Sequence, residues 1–516
     1  MSEGIKILWI DDEVDLLQVH IMYLEEKGHT VTTATNAIDA FEILREEQYD
    51  IIFLDENMPG LSGLETLPQL KEIAPTTPVI MITKSEEEAV MDEAIGSRVD
   101  DFLIKPVKPQ QILLSIKKNV YNRDLVSAHT GTKFREEFNK LSQSINLVGG
   151  WLDWIDLYKK LTHWELLLEE VEDNALSEIF TSIKSEANRM FSKYVKSNYT
   201  DWMEHEHPTM INEILNDRLI PMLAEDEKVV LIVIDNLRFD HWRVIRSILH
   251  KYVNIDSEDL IFSILPTATQ YARNALFSGL MPLEIKKYYP EYWLDDTDEG
   301  SKNQFEEKLF EQFLKRNSQK VKFTFNKVFN EAHGQKILDN LNSLLKNQLT
   351  VIVYDFIDIL SHARTNVKMV KELAKDEQAY RSVVKSWFEN STLLQLFKKL
   401  TEHNVKILLT TDHGAIRVKK PVKIVGDRLT TTNLRYKQGK NLNYNKKEVF
   451  EVLKPEKIKL PKSNIVSTYV FAMNEDFLIY PNNYHQFVNL YRDTFQHGGI
   501  SMEEMLIPFI EISPKQ

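Results

Sequence analysis

The sequence predicts an α/β protein of several domains, and three observations carry that prediction. Short apolar runs alternate with helix-spaced segments over residues 1–120. A second alternation of the same kind fills 225–516, and a stretch without proline, from Pro109 to Pro208, lies between them. At 516 residues the chain exceeds one ordinary core, since domains run to about 100–200 residues.

In order along the chain, IKILWI (5–10), TVTTAT (30–35), YDIIFLD (49–55), PVIMIT (78–83) and DDFLIK (100–105) read as five strands. The segments between them, such as VDLLQVHIMYLEEKG closed by Gly28, show 3.6-type spacing. Five β-α repeats imply a five-stranded, doubly wound parallel sheet. Residues 121–224 carry apolar side chains at helical spacing, among them Trp151, Trp154, Ile155, Tyr158 and Leu161, and predict an all-α bundle. Strands resume at 228–235, 260–266, 346–355, 404–412 and 477–481, so 225–516 reads as a second, larger α/β domain.

Composition narrows the function. There are 63 basic and 77 acidic residues, a net charge of −14, which argues against a nucleic-acid coat over the whole surface. Cysteine is absent, which excludes disulfides, thiolate zinc sites and cysteine nucleophiles; metal must be held by His and carboxylate. The start, MSEGIKILWIDD, lacks the basic region of a signal peptide, and no apolar run approaches the ~18 residues of a membrane span. The expectation is a soluble, cytoplasmic protein without a transmembrane segment.

Two constellations carry chemistry. Asp11 and Asp12 follow the first strand, Asp55 ends the third, Thr83 ends the fourth and Lys105 the fifth. In a parallel sheet these ends converge on one edge. Carboxylates there repel one another unless a divalent cation neutralises them. Mg²⁺ held by Asp11, Asp12, Asp55 and a carbonyl near Asn57 suits the pattern. Asp55 then accepts phosphate, while Lys105 and Thr83 contact the phosphoryl oxygens. With DENMPG after strand three and KP after strand five, residues 1–120 resemble the receiver domain of bacterial response regulators. The resemblance implies that Phe102 is an aromatic switch residue, that Lys105–Pro106 is cis, and that phosphorylation promotes a homodimer.

In the C-terminal domain Asp235 ends VVLIVID, Asp412 and His413 follow VKILLTT, and Asp358 and His362 are four apart on a helical segment; His497 lies in FQHGG, whose glycines let backbone crowd a ligand. Asp/His donors at strand ends fit two divalent ions, most plausibly Zn²⁺, which clamp the oxygens of a phosphoryl transfer. In LPTATQYARNALFSG a threonine at the start of a helix, Thr269 in preference to Thr267, is the candidate nucleophile. Asp355 competes with Asp358 as a ligand. The order of these residues resembles the alkaline phosphatase superfamily, including its phosphodiesterases and PglZ-type domains. That resemblance implies one metal on Asp358, His362 and His497 and a second on Asp235, Asp412 and His413, with Thr269 bridging. No arginine directly follows the nucleophile; Arg273 lies one turn on, which leans toward diesters.

Residues 415–464 hold 14 Lys/Arg against four acids, a local charge of +10. Beginning beside His413, the segment reads as a lid for a nucleotide or oligonucleotide. Arg417, Lys419, Lys420, Arg435 and Lys437, with Arg273, are candidate phosphate contacts, and Tyr436 is a candidate base-stacking ring. The whole arrangement resembles the PorX-type, PglZ-containing response regulators of Bacteroidota. The resemblance implies a sensor histidine kinase, a type IX secretion motor protein and a sigma factor as partners. The reading is therefore a response regulator whose output is a zinc-dependent phosphodiesterase. The alternative is a metal-stabilised docking module with vestigial hydrolysis.

Overall fold

A computed structural model describes residues 4–75, 77–83, 99–116, 119–120, 134, 138, 140–142, 144–145, 147–169, 174–296, 298–366, 368–427, 430–462 and 466–515. The chain forms two compact units, Met1–Arg135 and Glu136–Gln516.

In the first unit β1 (Lys6–Ile10), β2 (Thr30–Ala34), β3 (Ile51–Asp55), β4 (Val79–Thr83) and β5 (Asp101–Ile104) form one sheet in the order β2-β1-β3-β4-β5. All its pairings are parallel. Alternate residues of each strand feed two cores. Leu8, Ile10, Ile52, Leu54, Val79 and Met81 pack on one face, and Ile7, Trp9, Ile51, Phe53, Ile80 and Ile82 on the other. Both faces are covered, so the central strands read as unbroken apolar runs. Helix Gly63–Ile73 starts at a capping box in which Ser62 and Glu65 satisfy each other's backbone N–H groups.

In the second unit β6 (Val229–Ile234), β7 (Val253–Phe262), β8 (Phe323–Val328), β9 (Leu349–Tyr354) and β10 (Lys406–Thr410) join the C-terminal strand Leu506–Pro514. The order is β7, then Leu506–Pro514, then β10-β6-β9-β8. β10, β6, β9 and β8 run parallel. The C-terminal strand runs antiparallel to both its neighbours. That reversal brings the residues before Leu506 to the edge where β6 and β10 end.

Helices Trp151–Glu169 and Asn174–Asn198 fall within the second compact unit. Phe191 meets Trp154 at 5.3 Å and Phe262 of β7 at 6.1 Å, so the helices need that sheet to bury their aromatic residues. The strand expected at 260–266 is β7, which ends at Phe262. Asp476–Ile479 lies in a small sheet with Lys420–Val425 and Asn443–Tyr444, not in the main one. The basic segment is likewise no open lid. Its Val422, Ile424 and Val449 pack in one core with Val470, Ala472 and Leu478 of the strands that follow it.

Candidate functional site

At the receiver edge Asp11, Asp12 and Asp55 bring carboxylate oxygens within 4.8 Å of one another. Lys105 Nζ lies 2.7 Å from Asp55 and 3.2 Å from Asp11. Burial, with the charges of Asp11 and Asp12, pushes Asp55 up against the hydrogen bond from Lys105. The carboxylate is thus held where added positive charge stabilises it. Thr83 is buried at the end of β4, Lys105–Pro106 is cis, and Asn57 is exposed just beyond β3. Phe102 packs partly buried against the core on one face of the sheet.

The second unit gathers two groups of potential ligands, each with donor atoms within 4.8 Å: Asp358, His362 and His497, and Asp235, Asp412 and His413. In the first, Asp358 lies 3.4 Å from His362 Nε2 and 3.6 Å from His497 Nε2. In the second, His413 Nε2 lies 3.8 Å from Asp235 Oδ1 and 3.6 Å from Asp412 Oδ2. Donors around a tetrahedral zinc sit about 3.3–3.5 Å apart, from bond lengths of about 2.0–2.2 Å. Both groups approach that spacing.

Three further features fit metal. Asp235 Oδ1 and Asp412 Oδ2 are buried without a hydrogen-bond partner, a costly arrangement for an anion. His413 Nδ1 donates to the Gly414 carbonyl at 3.1 Å, and His497 Nδ1 to the Thr267 carbonyl at 3.2 Å. Each Nε2 is thereby left with a lone pair facing its group, the second-shell pattern of metal-binding histidines. Burial and the neighbouring His413 lower His497 to about 3, keeping it neutral. Burial and the Asp412 charge push Asp235 up. Burial would raise Asp358 too, but the hydrogen bond from His362 works against it and Asp358 is held below the carboxylate range. The His413 and His497 rings stack at 4.2 Å, so the two groups adjoin.

Helix Thr269–Ser278 begins at the site. Thr269 Oγ1 lies 3.1 Å from His413 Nε2. Thr267, by contrast, is fully buried and engaged with backbone, donating to Gly499 at 2.9 Å and accepting from Gly498 at 3.0 Å. Asp355 is likewise turned away, 3.0 Å from Arg273. Gly498 has φ +122, and a Cβ there would meet Tyr436 at 2.7 Å. The positive φ and the contact with the Tyr436 ring both require that glycine.

Several proposed substrate contacts have other occupations. Arg273 is 4% exposed and braces three carboxylates, Asp235 at 2.7 Å, Glu306 at 2.6 Å and Asp355 at 3.0 Å. Its guanidinium is consumed inside the protein, which corrects its assignment as a phosphate contact. Arg435 is fully buried, 2.6 Å from Glu504 and bonded to the Asp476 carbonyl. Lys437 is buried too, donating to the Thr431 carbonyl at 2.9 Å. Tyr436 is buried against Tyr271, its hydroxyl toward Asp296. None of these three faces solvent, so the base-stacking and phosphate-binding readings fail for them. Arg417, Lys419 and Lys420 keep partial exposure but pair with Asp493, Glu475 and Glu448.

Asn236 was not anticipated. In the left-handed region at φ 64, which Asn tolerates, it donates its backbone N–H to Asp412 and its Nδ2 to Asp358, each at 3.3 Å. It thus ties one carboxylate of each group. Its place directly after a strand-end aspartate is the signal that could have found it. A third acidic group, Glu165, Asp240 and Glu377, is already neutralised by Arg381 and Arg238.

One chain thus carries a carboxylate-lined parallel-sheet edge and, in its second unit, an Asp/His-lined edge of a larger α/β sheet. Comparison with known families agrees: the response regulator receiver domain matches residues 7–117, the PorX response regulator linker domain 124–203, and the BREX system PglZ alkaline phosphatase-like domain 214–512. The chain belongs to the PglZ alkaline phosphatase-like family, in the three-part arrangement of a PorX-type response regulator.

Among single proteins, the transcriptional regulatory protein ResD of Bacillus subtilis is 34% identical over 140 residues, covering 27% of this chain and 58% of its own. SrrA of Staphylococcus aureus is 34% identical over 112 residues, covering 22% and 46%. The chain thus spans about half the length of these curated relatives. A receiver domain from Clostridium thermocellum is 32% identical with a TM-score of 0.22, covering 23% of this chain and 98% of that one. The NtrX receiver of Brucella abortus is 31% identical with a TM-score of 0.21, covering 22% and 98%. Among the described residues no helix is long and apolar enough to cross a membrane.

Proposed function

We propose that this protein is a response regulator, phosphorylated on Asp55, whose output is zinc-dependent phosphodiester hydrolysis through Thr269. The observation that carries the reading is the convergence of two Asp/His groups with Thr269 Oγ1, 3.1 Å from His413, at a helix N-terminus. Asp358, His362 and His497 would hold one Zn²⁺ and Asp235, Asp412 and His413 the other; bound there, the ions supply Lewis acidity and a lowered nucleophile pKa. Thr269 presents its hydroxyl where backbone N–H groups favour an anionic phosphate. Its Oγ1 loses its proton and bonds to phosphorus as the bond to the leaving alkoxide breaks and that alkoxide leaves as the alcohol; water then cleaves the threonine–phosphorus ester, releasing a phosphomonoester and restoring the hydroxyl. Arg273 holds Asp235 in place at 2.7 Å, and Asn236 aligns Asp412 with Asp358.

With Arg273 internal, its fork is not offered to the dianion of a monoester, which supports diesters, nucleotide or oligonucleotide, as substrates. Mg²⁺ at Asp11, Asp12, Asp55 and the Asn57 carbonyl would assist phosphorylation from a sensor histidine kinase. The three-domain order supports a cytoplasmic role in type IX secretion, with a motor protein and a sigma factor as partners and a phosphorylation-promoted dimer. The test is turnover by the purified chain, stripped of metal and reloaded with Zn²⁺, on a chromogenic phosphodiester, a short oligonucleotide and a phosphomonoester. Zinc-restored cleavage of the diesters in preference to the monoester is expected. No turnover despite two bound ions contradicts the reading.

A further inference from the structure

Helix Asn174–Asn198 buries an apolar face that includes Phe180, Ile183, Ala187, Phe191 and Val195. Beside that face runs a second stripe, one residue every four: Lys184, Asn188, Ser192 and Lys196. Residues at this spacing line one side of a helix. Asn188 and Ser192 are 2% and 0% exposed, and polar groups so buried are costly without partners. Their partners lie together. Lys184 Nζ meets Glu503 at 3.1 Å. Asn188 donates to the Glu503 carboxylate at 2.9 Å and accepts from the Met502 N–H at 2.8 Å. Ser192 donates to the Ile500 carbonyl at 3.1 Å. Lys196 reaches the Val449 carbonyl at 2.8 Å.

The segment this stripe grips, 497–504, reaches both ligand groups and the turn before Thr269. It begins with His497. Gly498 and Gly499 hold Thr267, two residues before Thr269. The Glu504 carbonyl accepts from the Gly414 N–H at 3.2 Å, and a Cβ on Gly414 would meet the Glu503 carbonyl at 2.1 Å. The segment therefore lies hard against the residue after His413. A small displacement of 500–504 moves His497 directly and His413 through Gly414.

We propose that Asn188 and Ser192, with Lys184, are positioning residues for the metal site, setting His497 and His413 through segment 497–504. The proposal rests on the metallohydrolase reading above. It makes metal affinity and turnover depend on the seating of a helix that follows the receiver in the chain. Loss of an outer-shell partner of this kind typically costs about 10–100-fold in metal affinity or activity.

The experiment compares the full chain with Asn188→Ala, Ser192→Ala and Ser185→Ala. Ser185 lies on the same helix but bonds to Glu475 at 3.1 Å, outside the gripped segment. Three quantities are read: Zn²⁺ affinity by chelator competition, amide hydrogen exchange over 497–504, and kcat and KM on a chromogenic diester. Asn188→Ala and Ser192→Ala are expected to bind Zn²⁺ about 10-fold more weakly or worse, to exchange faster over 497–504, and to lose kcat with KM held; Ser185→Ala matches the parent. Ser192→Ala deletes one oxygen atom and decides alone if Asn188→Ala does not fold. A folded Ser192→Ala with parental zinc affinity and parental exchange overturns the proposal. If the parent binds two zinc ions without turnover, the hydrolase reading falls. Affinity and exchange then still judge the stripe.

Discussion

Replacing Arg273 by leucine separates an internal brace from a substrate contact. The side chain is buried among Asp235, Glu306 and Asp355 at 2.6–3.0 Å. Removing one partner of a buried ion pair costs about 3–5 kcal/mol, because the charge left behind stays buried. Glu306 retains Lys327 at 2.7 Å, so the loss falls on Asp235 and Asp355, at about 3 kcal/mol, the low end of that range. The unit Glu136–Gln516 has about 380 residues. At ~2.1 cal/mol/K per residue its unfolding entropy is about 0.8 kcal/mol/K. The expected fall in Tm is therefore about 4 °C, read by calorimetry, together with weaker zinc binding as Asp235 loses the brace that holds it in place. Arg273→Lys keeps the charge but not the fork, and should fall between leucine and the parent. An unchanged Tm with KM raised tenfold would refute the brace and restore Arg273 as a phosphate contact.

Three further outcomes follow from the same geometry. A small-molecule phosphodonor with Mg²⁺ should add one phosphoryl group to the chain, detectable by mass, and none to Asp55→Asn. Burial lowers Lys437 to about 7, so between about pH 7 and its unfolded value of about 10.5 the unfolded chain holds a proton that the folded chain does not. Stability from this residue is thus present above that window and lost as pH falls through it; Lys437→Met should raise Tm at pH 7 and flatten its rise toward pH 10. Stripping zinc should lower the Tm of the second unit, since an ion at one hundred times its Kd contributes about 2.7 kcal/mol per site. Equal melting with and without chelator would count against metal at these groups.

Much of the fold was legible because local pattern and burial agree. Ile51–Asp55 and Val79–Thr83 are buried at every position, so continuous apolar runs marked them as central strands. The candidate ligands could be picked out for a related reason: Asp235 follows β6 directly and Asp412 lies two residues past β10, where a parallel sheet collects its chemistry. What escaped depends on contacts far apart in sequence. Arg435 read as a surface cation because Glu504, which buries it, lies 69 residues on. The contact of helix Asn174–Asn198 with Glu503 was hidden too, since Asn188 finds it only across 315 residues. β8 was missed because its residues are mostly half-buried at the sheet edge, leaving a weak apolar signal. Asn236 carried no periodic signature at all; its role is set by the left-handed backbone that follows β6.

The central claim is that Thr269 is the nucleophile of a zinc phosphodiesterase, and Thr269→Ala tests it most directly when zinc content is measured beside turnover. The parent and Thr269→Ala are loaded with Zn²⁺, their bound metal is quantified, and both are offered the same chromogenic diester. The account predicts two zinc ions in each protein, with cleavage by the parent and a loss of several orders of magnitude in the variant. Cleavage by a zinc-loaded Thr269→Ala at the parental rate would contradict it.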